Sequence, residues 1–354
     1  MKLIALKDVC KINMGQSPNS SSYNDYGDGM PFFQGNADFG ERYPITRVWC
    51  NTPTKIAQAE DILISVRAPI GALNYAKEEC CIGRGIAAIT PDRNKVSQDF
   101  IYWALKGKKA ELNDKGNGST FKAISRKILE ETMIPDINFE QQHKCAENLE
   151  KIYGIIQNRR KELLALDDLI KARFVEMFGD PVSNSRGLPE ATLPELGEFG
   201  RGVSKHRPRN DPKLLGGKYP LIQTGDVASS DLYITSYTGT YSDLGLAQSK
   251  MWDEGTLCIT IAANIAKTAI LGFDACFPDS VVGFRANEKT NNIYIHYWFS
   301  FFQRILEAQA PESAQKNINL KSLSELRVIY PTKEEQDAFA AFVAEVDKSK
   351  FVVI

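Results

Sequence analysis

The sequence predicts an α+β fold: two pseudo-repeated α+β domains separated by long coiled-coil helices packed antiparallel. Three observations predict it. The chain repeats itself once, each copy mixes short apolar strands with helices, and each copy ends in a helical stripe. Leu6-x-Asp8-Val9 followed by Gly15-x-Ser17 returns as Leu193-x-Glu195-Leu196 followed by Gly202-x-Ser204. Pro31-Phe32-Phe33-Gln34 returns as Pro220-Leu221-Ile222-Gln223, and Ile101-Tyr102-Trp103 as His296-Tyr297-Trp298. Later, Lys122 and Ile124 match Lys316 and Ile318, and Pro135 then Glu140-Gln141 matches Pro331 then Glu335-Gln336. The offset grows from 187 at Gly15 to 195 at Cys81, as loops lengthen between fixed elements. Such a period is too long for a solenoid, so the copies are domains.

Within the copies, residues 62–66 and 85–89 read as buried strands, as do 257–261 and 280–284. Residues 97–109 and 293–308 read as helices, and 23–38, rich in Gly, Asp, Asn and Tyr, as a long functional loop. From 139 to 178 there is no proline, and Leu149, Ile152, Ile156, Leu163, Leu166, Ile170 and Met177 alternate three and four apart. Arg159 and Arg173 fill the remaining positions of that register. This is a coiled-coil stripe rather than a broad globular face, on a rod of about 60 Å. Gly179-Asp180-Pro181 stops it.

Thr332 with Glu335 forms a capping box that opens a second rod, where Phe339, Phe342 and Val346 begin a similar stripe. The chain ends at Ile354, so this stripe is about half as long as the first. Packed antiparallel, it covers Leu163 to Met177 and leaves Leu149, Ile152 and Ile156 to a second copy or to another protein. The expected boundaries are 1–137 for the first domain, 138–179 for the central helix, 180–331 for the second domain and 332–354 for the second helix.

Composition narrows the class. The 354 residues allow two or three domains, each large enough for its own core. No apolar run is long enough to span a membrane, and the N-terminus becomes charged too soon for a signal peptide. Seven cysteines without a CxxC pair resemble neither a disulfide framework nor a zinc site, so a cytoplasmic, reducing setting is expected. The net charge of −1 does not advertise nucleic-acid binding, but the local pattern differs. Arg201, Lys205, Arg207, Arg209, Lys213 and Lys218 face a single acid, Asp211, in a Pro- and Gly-rich stretch. It is a basic loop, either solvated or bound to phosphates.

Catalytic patterns fail one by one. Asn51-Thr52-Pro53 lacks the aromatic that an adenine methyltransferase needs to hold a flipped base. Neither Gly107-Lys108 nor Gly217-Lys218 completes a phosphate loop. Pro135-Asp136 and Pro278-Asp279 are not followed by the Glu-x-Lys of a metal-dependent nuclease. His143, His206 and His296 lack the spacing of a metal pair, and the sequence predicts no catalytic centre.

Ala314-Gln315-Lys316-Asn317-Ile318-Asn319-Leu320, then Leu326-Arg327-Val328 and Pro331 before Glu334-Glu335-Gln336, form one ordered set of motifs. Ser119-Thr120-Phe121-Lys122-Ala123-Ile124-Ser125, Met133-Ile134-Pro135 and Glu140-Gln141-Gln142 repeat it in the first copy, after Leu63-Ile64-Ser65-Val66-Arg67-Ala68-Pro69-Ile70-Gly71. With these the chain resembles, over its whole length, the specificity subunit of type I restriction-modification systems. The resemblance implies two target-recognition domains, each reading one half of a split site in double-stranded DNA. It implies rods that space the domains and dock two methyltransferase subunits through Leu149, Ile152, Ile156, Leu163, Leu166, Ile170, Phe339, Phe342 and Val346. The chain itself is then non-catalytic and binds no cofactor or metal. The methyltransferases bring S-adenosylmethionine, and restriction (translocase) subunits add ATP- and Mg-dependent cleavage. The alternative is a standalone DNA-binding or interaction protein derived from such a subunit, which co-purification with a methyltransferase separates from the first. When the chain is purified alone, a homodimer is expected.

Several residues are candidates for DNA contact. Gln34 and Gln223 end the same short apolar strand and lead into Gly35-Asn36 and Thr224-Gly225-Asp226. Their amides either bind adenine bidentately or cap turns. Lys122, and Lys316 with Asn317, stand at matching positions and either meet phosphate or fix a lid by a salt bridge. Arg67 and Lys267 flank the loop after a strand, with Arg84 before the next, and are read as phosphate contacts together with Arg201, Lys205, Arg207 and Arg209. Tyr23, Tyr26 and Phe39 either touch thymine methyls or cover a local core.

Overall fold

A computed structural model describes residues 2–116, 122–262, 265–309 and 318–353, and the side chains of these except 304, 306–309 and 351–353. Lys316 and Asn317 lie outside the described residues. The chain divides into two compact units, Met1–Gln157 and Asn158–Ile354, and the helix Phe139–Phe178 contributes to both.

The first unit is built on a four-stranded antiparallel sheet in the order Cys10–Met14, Ile86–Pro91, Ile62–Ser65, Leu73–Tyr75. Its central strands are apolar on both faces because each face meets a different core. Ile62, Ile64, Ala87 and Ile89 pack with Phe100, Ile101 and Leu105 of the helix Gln98–Gly107. Leu63, Ile86 and Ala88, one residue out of phase, pack with Phe33, Ala57 and Ile82 on the other side. The second core belongs to a five-stranded sheet in which Met30–Phe33 runs parallel to Cys80–Ile82. Residues 23–38, expected as a loop, thus contain the strands Tyr23–Asn24 and Met30–Phe33. Tyr23 stacks on Phe32 at 4.7 Å and Phe39 packs on the second core, so both cover local cores, while Tyr26 is exposed.

The second unit repeats this plan. Its five-stranded sheet runs Gly197–Arg201, Val281–Ala286, Leu257–Thr260, Thr268–Leu271, Tyr233–Ile234. Its other sheet carries a parallel pair, Leu215–Leu221 with Ala275–Cys276. Equivalent backbone bonds are superimposable in kind and length. Gly15 donates to the Ile86 carbonyl and Gly202 to that of Val281, each at 2.9 Å. Ile124 donates to Val66 and Ile318 to Ile261, again at 2.9 Å. A Cβ on Gly15 would lie 2.2 Å from the Gly83 oxygen, and one on Gly202 2.3 Å from that of Phe277, so backbone approach requires glycine at both. The same bonds correct one match: Gln142, not Gln141, is the counterpart of Gln336, since each follows its helix cap, Asn138 or Thr332, by four residues.

The helix Phe139–Phe178 has the expected bounds, and Gly179 with φ +77 ends it. Its register needs correction. The buried residues of the second half are Ile170, Phe174 and Phe178, spaced by four, not Arg173 and Met177. Phe174 stacks on Tyr294 at 5.3 Å and meets Phe339 edge-on at 5.3 Å, so this part of the rod belongs to the globular core of the second unit. The helix Lys333–Val353 opens on the expected capping box of Thr332 and Glu335. It buries Phe339, Val343 and Val346, with Phe342 half-buried beneath Arg173. It runs antiparallel to the first helix: Phe339 sits against Phe174 and Phe178, while Lys350 pairs with Asp167 at 2.7 Å. Leu149, Ile152 and Ile156 remain 41%, 54% and 44% exposed, whereas Ile170, Phe339 and Val346 are used within the chain and Leu163 and Leu166 are half-buried. Among the described residues no helix is long and apolar enough to cross a membrane.

Candidate nucleic-acid interface

In the first unit the parallel strands Met30–Phe33 and Cys80–Ile82 end side by side. Gly83 donates to the Phe33 carbonyl at 2.8 Å and Gly85 to that of Gln34 at 3.1 Å. Only glycine fits at 85, where a Cβ would lie 2.4 Å from the Gln34 oxygen. Asp38 then turns back, its Oδ2 accepting the backbone N–H of Gln34 at 2.7 Å and of Gly35 at 3.2 Å. The backbone is held and the Gln34 side chain is left exposed. Arg67 follows the strand Ile62–Ser65 and bridges Ala123, and Ala68 donates to the Lys122 carbonyl at 3.1 Å. The result is a cleft of about 230 Å³ lined by Gln34, Gly35, Asn36, Arg67, Ala68, Arg84 and Gly85. Four predicted contact residues come together there, and Lys122 lies beside them. Arg67, Arg84 and Lys122 are exposed and make no ion pair among the described residues, which leaves three cations open to an anionic ligand.

The second unit presents its glutamine in the same way. Asp226 Oδ2 accepts the backbone N–H of Gln223 at 2.8 Å, and Oδ1 accepts the Thr238 hydroxyl at 3.0 Å. Gln223 is exposed and Thr224 half-buried, but Asp226 is only 9% exposed and its carboxylate is spent on the turn. Lys267 does not fall beside Gln223. The Thr260 N–H donates to its carbonyl as that of Ser65 donates to Ala72, so Lys267 stands in the place of Ala72 rather than of Arg67. It lines a cavity of about 280 Å³ with Asp231, His296 and Lys350.

The basic stretch is partly strand, since Leu215–Leu221 includes Lys218. Arg201 and Lys205 are exposed without an ion pair among the described residues. Arg207 lies 3.5 Å from Asp279 Oδ2, and Arg209 pairs with Oδ1 of the same carboxylate. His206 Nε2 lies 3.1 Å from Asp211. The segment is therefore held by Asp211 within it and by the distant Asp279 rather than freely solvated.

Comparison with known proteins assigns this architecture. Residues 1–166 and 190–351 match the type I restriction modification DNA specificity domain. The chain belongs to the type I DNA specificity family. A putative type I restriction enzyme specificity subunit, MjaX, of Methanocaldococcus jannaschii is 47% identical over 152 residues, 43% of this chain and 36% of that one. The EcoBI type I specificity subunit of Escherichia coli is 20% identical over 371 aligned residues, 94% of this chain and 76% of that one. The crystal structure of a type I restriction-modification S subunit from M. genitalium superposes with a TM-score of 0.58 at 15% identity, covering 99% of this chain and 90% of that one, a likeness of fold. The chain spans less than half the length of the two M. jannaschii relatives that it matches.

Two acids, Asp38 and Asp279, escape the sequence reading. Asp38 pins the turn after Gln34 as Asp226 pins the turn after Gln223, but Gln34 to Asp38 is one residue longer than Gln223 to Asp226, which hides their equivalence. Asp279 organises Arg207 and Arg209 from some seventy positions away, with no local signal.

Proposed function

We propose that the chain is the sequence-specific DNA-recognition subunit of a type I restriction-modification complex, with each domain reading one half of a bipartite double-stranded site. One observation carries the reading: each unit holds an exposed glutamine, Gln34 or Gln223, at the end of a parallel strand pair, its backbone N–H pinned by an aspartate. A side-chain amide on a fixed backbone is suited to bidentate bonds with adenine in the major groove. Around Gln34, Asn36 adds a second amide and Arg67, Arg84 and Lys122 supply the charge that holds phosphates. In the second domain Thr224, Arg201 and Lys205 take corresponding parts, and Lys316 and Asn317 follow from the repeat. Asp226 shapes the turn and contacts no base.

The domains are taken as 1–137 and 180–331, with 138–179 and 332–354 as the helices that space them. Leu149, Ile152 and Ile156 form the part of the long helix offered to methyltransferase subunits. Those partners bring S-adenosylmethionine, and restriction subunits bring ATP and Mg. A cytoplasmic setting suits the free cysteines, of which only Cys145 is exposed. The test is reconstitution with a matching methyltransferase subunit and labelled methyl donor. Adenine methylation of both strands at one bipartite sequence is expected from the mixture and no transfer from the chain alone. Transfer by the chain alone, or transfer without sequence preference by the mixture, contradicts the proposal.

A further inference from the structure

We infer that Arg209 is a base-reading residue of the second domain, directed at guanine, and that Asp279 is the positioning residue that presents it; this rests on the DNA-recognition reading above. Arg84 and Asp279 occupy one position in the two copies. Ile86 donates to the Gly83 carbonyl and Val281 to that of Pro278, both at 3.0 Å. Val66 donates to Gly85 at 2.9 Å and Ile261 to Ser280 at 3.0 Å. Both turns follow the strand that runs parallel to the one leading into the reading glutamine.

In the first copy this position sends a guanidinium, without an ion pair among the described residues, into the cleft beside Gln34. In the second it carries a carboxylate, which left bare would repel DNA. Instead it collects two arginines from the basic stretch. Arg207 is spent as a brace: its Nη1 donates to the carbonyls of Ser204 at 2.6 Å and His206 at 2.8 Å, and its Nη2 faces Asp279. Arg209 reaches Asp279 through Nη2 alone, its side chain is 45% exposed, and among the described residues Nε and Nη1 have no partner. The second copy thus restores, through Asp279, the guanidinium that the first supplies directly.

A phosphate contact needs only a mobile positive charge. A guanidinium ion-paired to a carboxylate through one nitrogen has less rotamer freedom than a free one and keeps one fork open, the second N–H of Nη2 with that of Nη1, the requirement for bidentate bonding to guanine O6 and N7. Selection of bound sequences from a random double-stranded DNA library by the full chain tests this, using Arg209→Lys and Asp279→Asn. Arg209→Lys keeps the charge and removes the fork. The wild type is expected to select a bipartite sequence. Arg209→Lys should lose preference for guanine at one position of one half-site, by about 5- to 150-fold, and leave the other half-site unchanged. Asp279→Asn should relax the same position. Variants that select the wild-type sequence, or that weaken all sequences equally, overturn the inference and leave the recognition reading intact. A wild-type chain that selects no sequence overturns both.

Discussion

Gln142 and Gln336 make the same buried contact in the two copies. The side-chain amide of Gln142 donates to the Ile137 carbonyl at 2.8 Å, and that of Gln336 to the Pro331 carbonyl at 2.9 Å. Each carbonyl oxygen then accepts from the segment before an earlier helix of the same copy, Gln98–Gly107 or Asn292–Gln309: Gln142 from the Ser97 N–H at 2.7 Å and Gln336 from the Thr290 hydroxyl at 2.7 Å. These amides staple a long helix to the domain before it. Replacing either with Ala leaves buried groups unpaired and should cost about 1–3 kcal/mol. Urea denaturation of each variant checks it, and a loss below about 0.5 kcal/mol would show that the staples are idle.

Arg67 lines the Gln34 cleft and Lys122 lies beside it, both exposed and without an ion pair among the described residues. Each single Ala variant should weaken all DNA sequences alike and lower the slope of log affinity against log salt by about one unit. Titrations across a salt series measure this. An unchanged slope would return both residues to the solvated surface.

Arg42 ties the loop that follows Asp38 to the long helix. Its guanidinium lies 4.9 Å from the Tyr102 ring centroid, 5.5 Å from Trp103 and 5.4 Å from Tyr153, and it pairs with Glu150. Its carbonyl accepts the Tyr75 N–H at 2.8 Å, and Asn74 clamps Gly40 just upstream. Arg42→Ala should destabilise the first unit by about 1–3 kcal/mol, and Arg42→Lys by part of that. Denaturation followed by tryptophan fluorescence, with Trp103 in the cluster, gives the measurement.

His296 is held neutral. Burial lowers its pKa from 6.5 to about 4, Lys350 adds to the effect, and a hydrogen bond with the Thr268 backbone opposes it. The folded chain therefore binds the proton less readily than the unfolded chain between these values. Stability from this group is complete above about pH 6.5 and is lost as pH falls toward 4, by at most about 3 kcal/mol. Comparing denaturation midpoints at pH 7.5 and 5.0, the wild type should lose more than His296→Asn. Equal losses would mean that His296 carries no share of the acid sensitivity.

The repeat is legible in the sequence because close backbone approaches and two-faced strands admit few residues. Gly15 and Gly202, or Ile62–Ser65 and Leu257–Thr260, cannot drift without breaking a core. The register of the long helix is not legible beyond Ile170. Arg173 with Met177 and Phe174 with Phe178 both fit a helical stripe, and the choice belongs to Tyr294 and Phe339, far along the chain. Likewise Arg67 and Lys267 look alike in sequence, yet the loop between strand and strand places them on different sides. Of the candidate interface, the Gln34 cleft is readable from the repeat. The braces of the second domain depend on long-range ion pairs that a sequence pattern does not encode.

The central claim is that two equivalent domains read two independent half-sites. Exchanging residues 1–137 for the first domain of another family member, and sequencing the methylated sites made by the chimera with its methyltransferase partner, tests it most directly. The account predicts that one half-site changes to that of the donor while the other stays as in the parent. A change in both halves, or in neither, would contradict it.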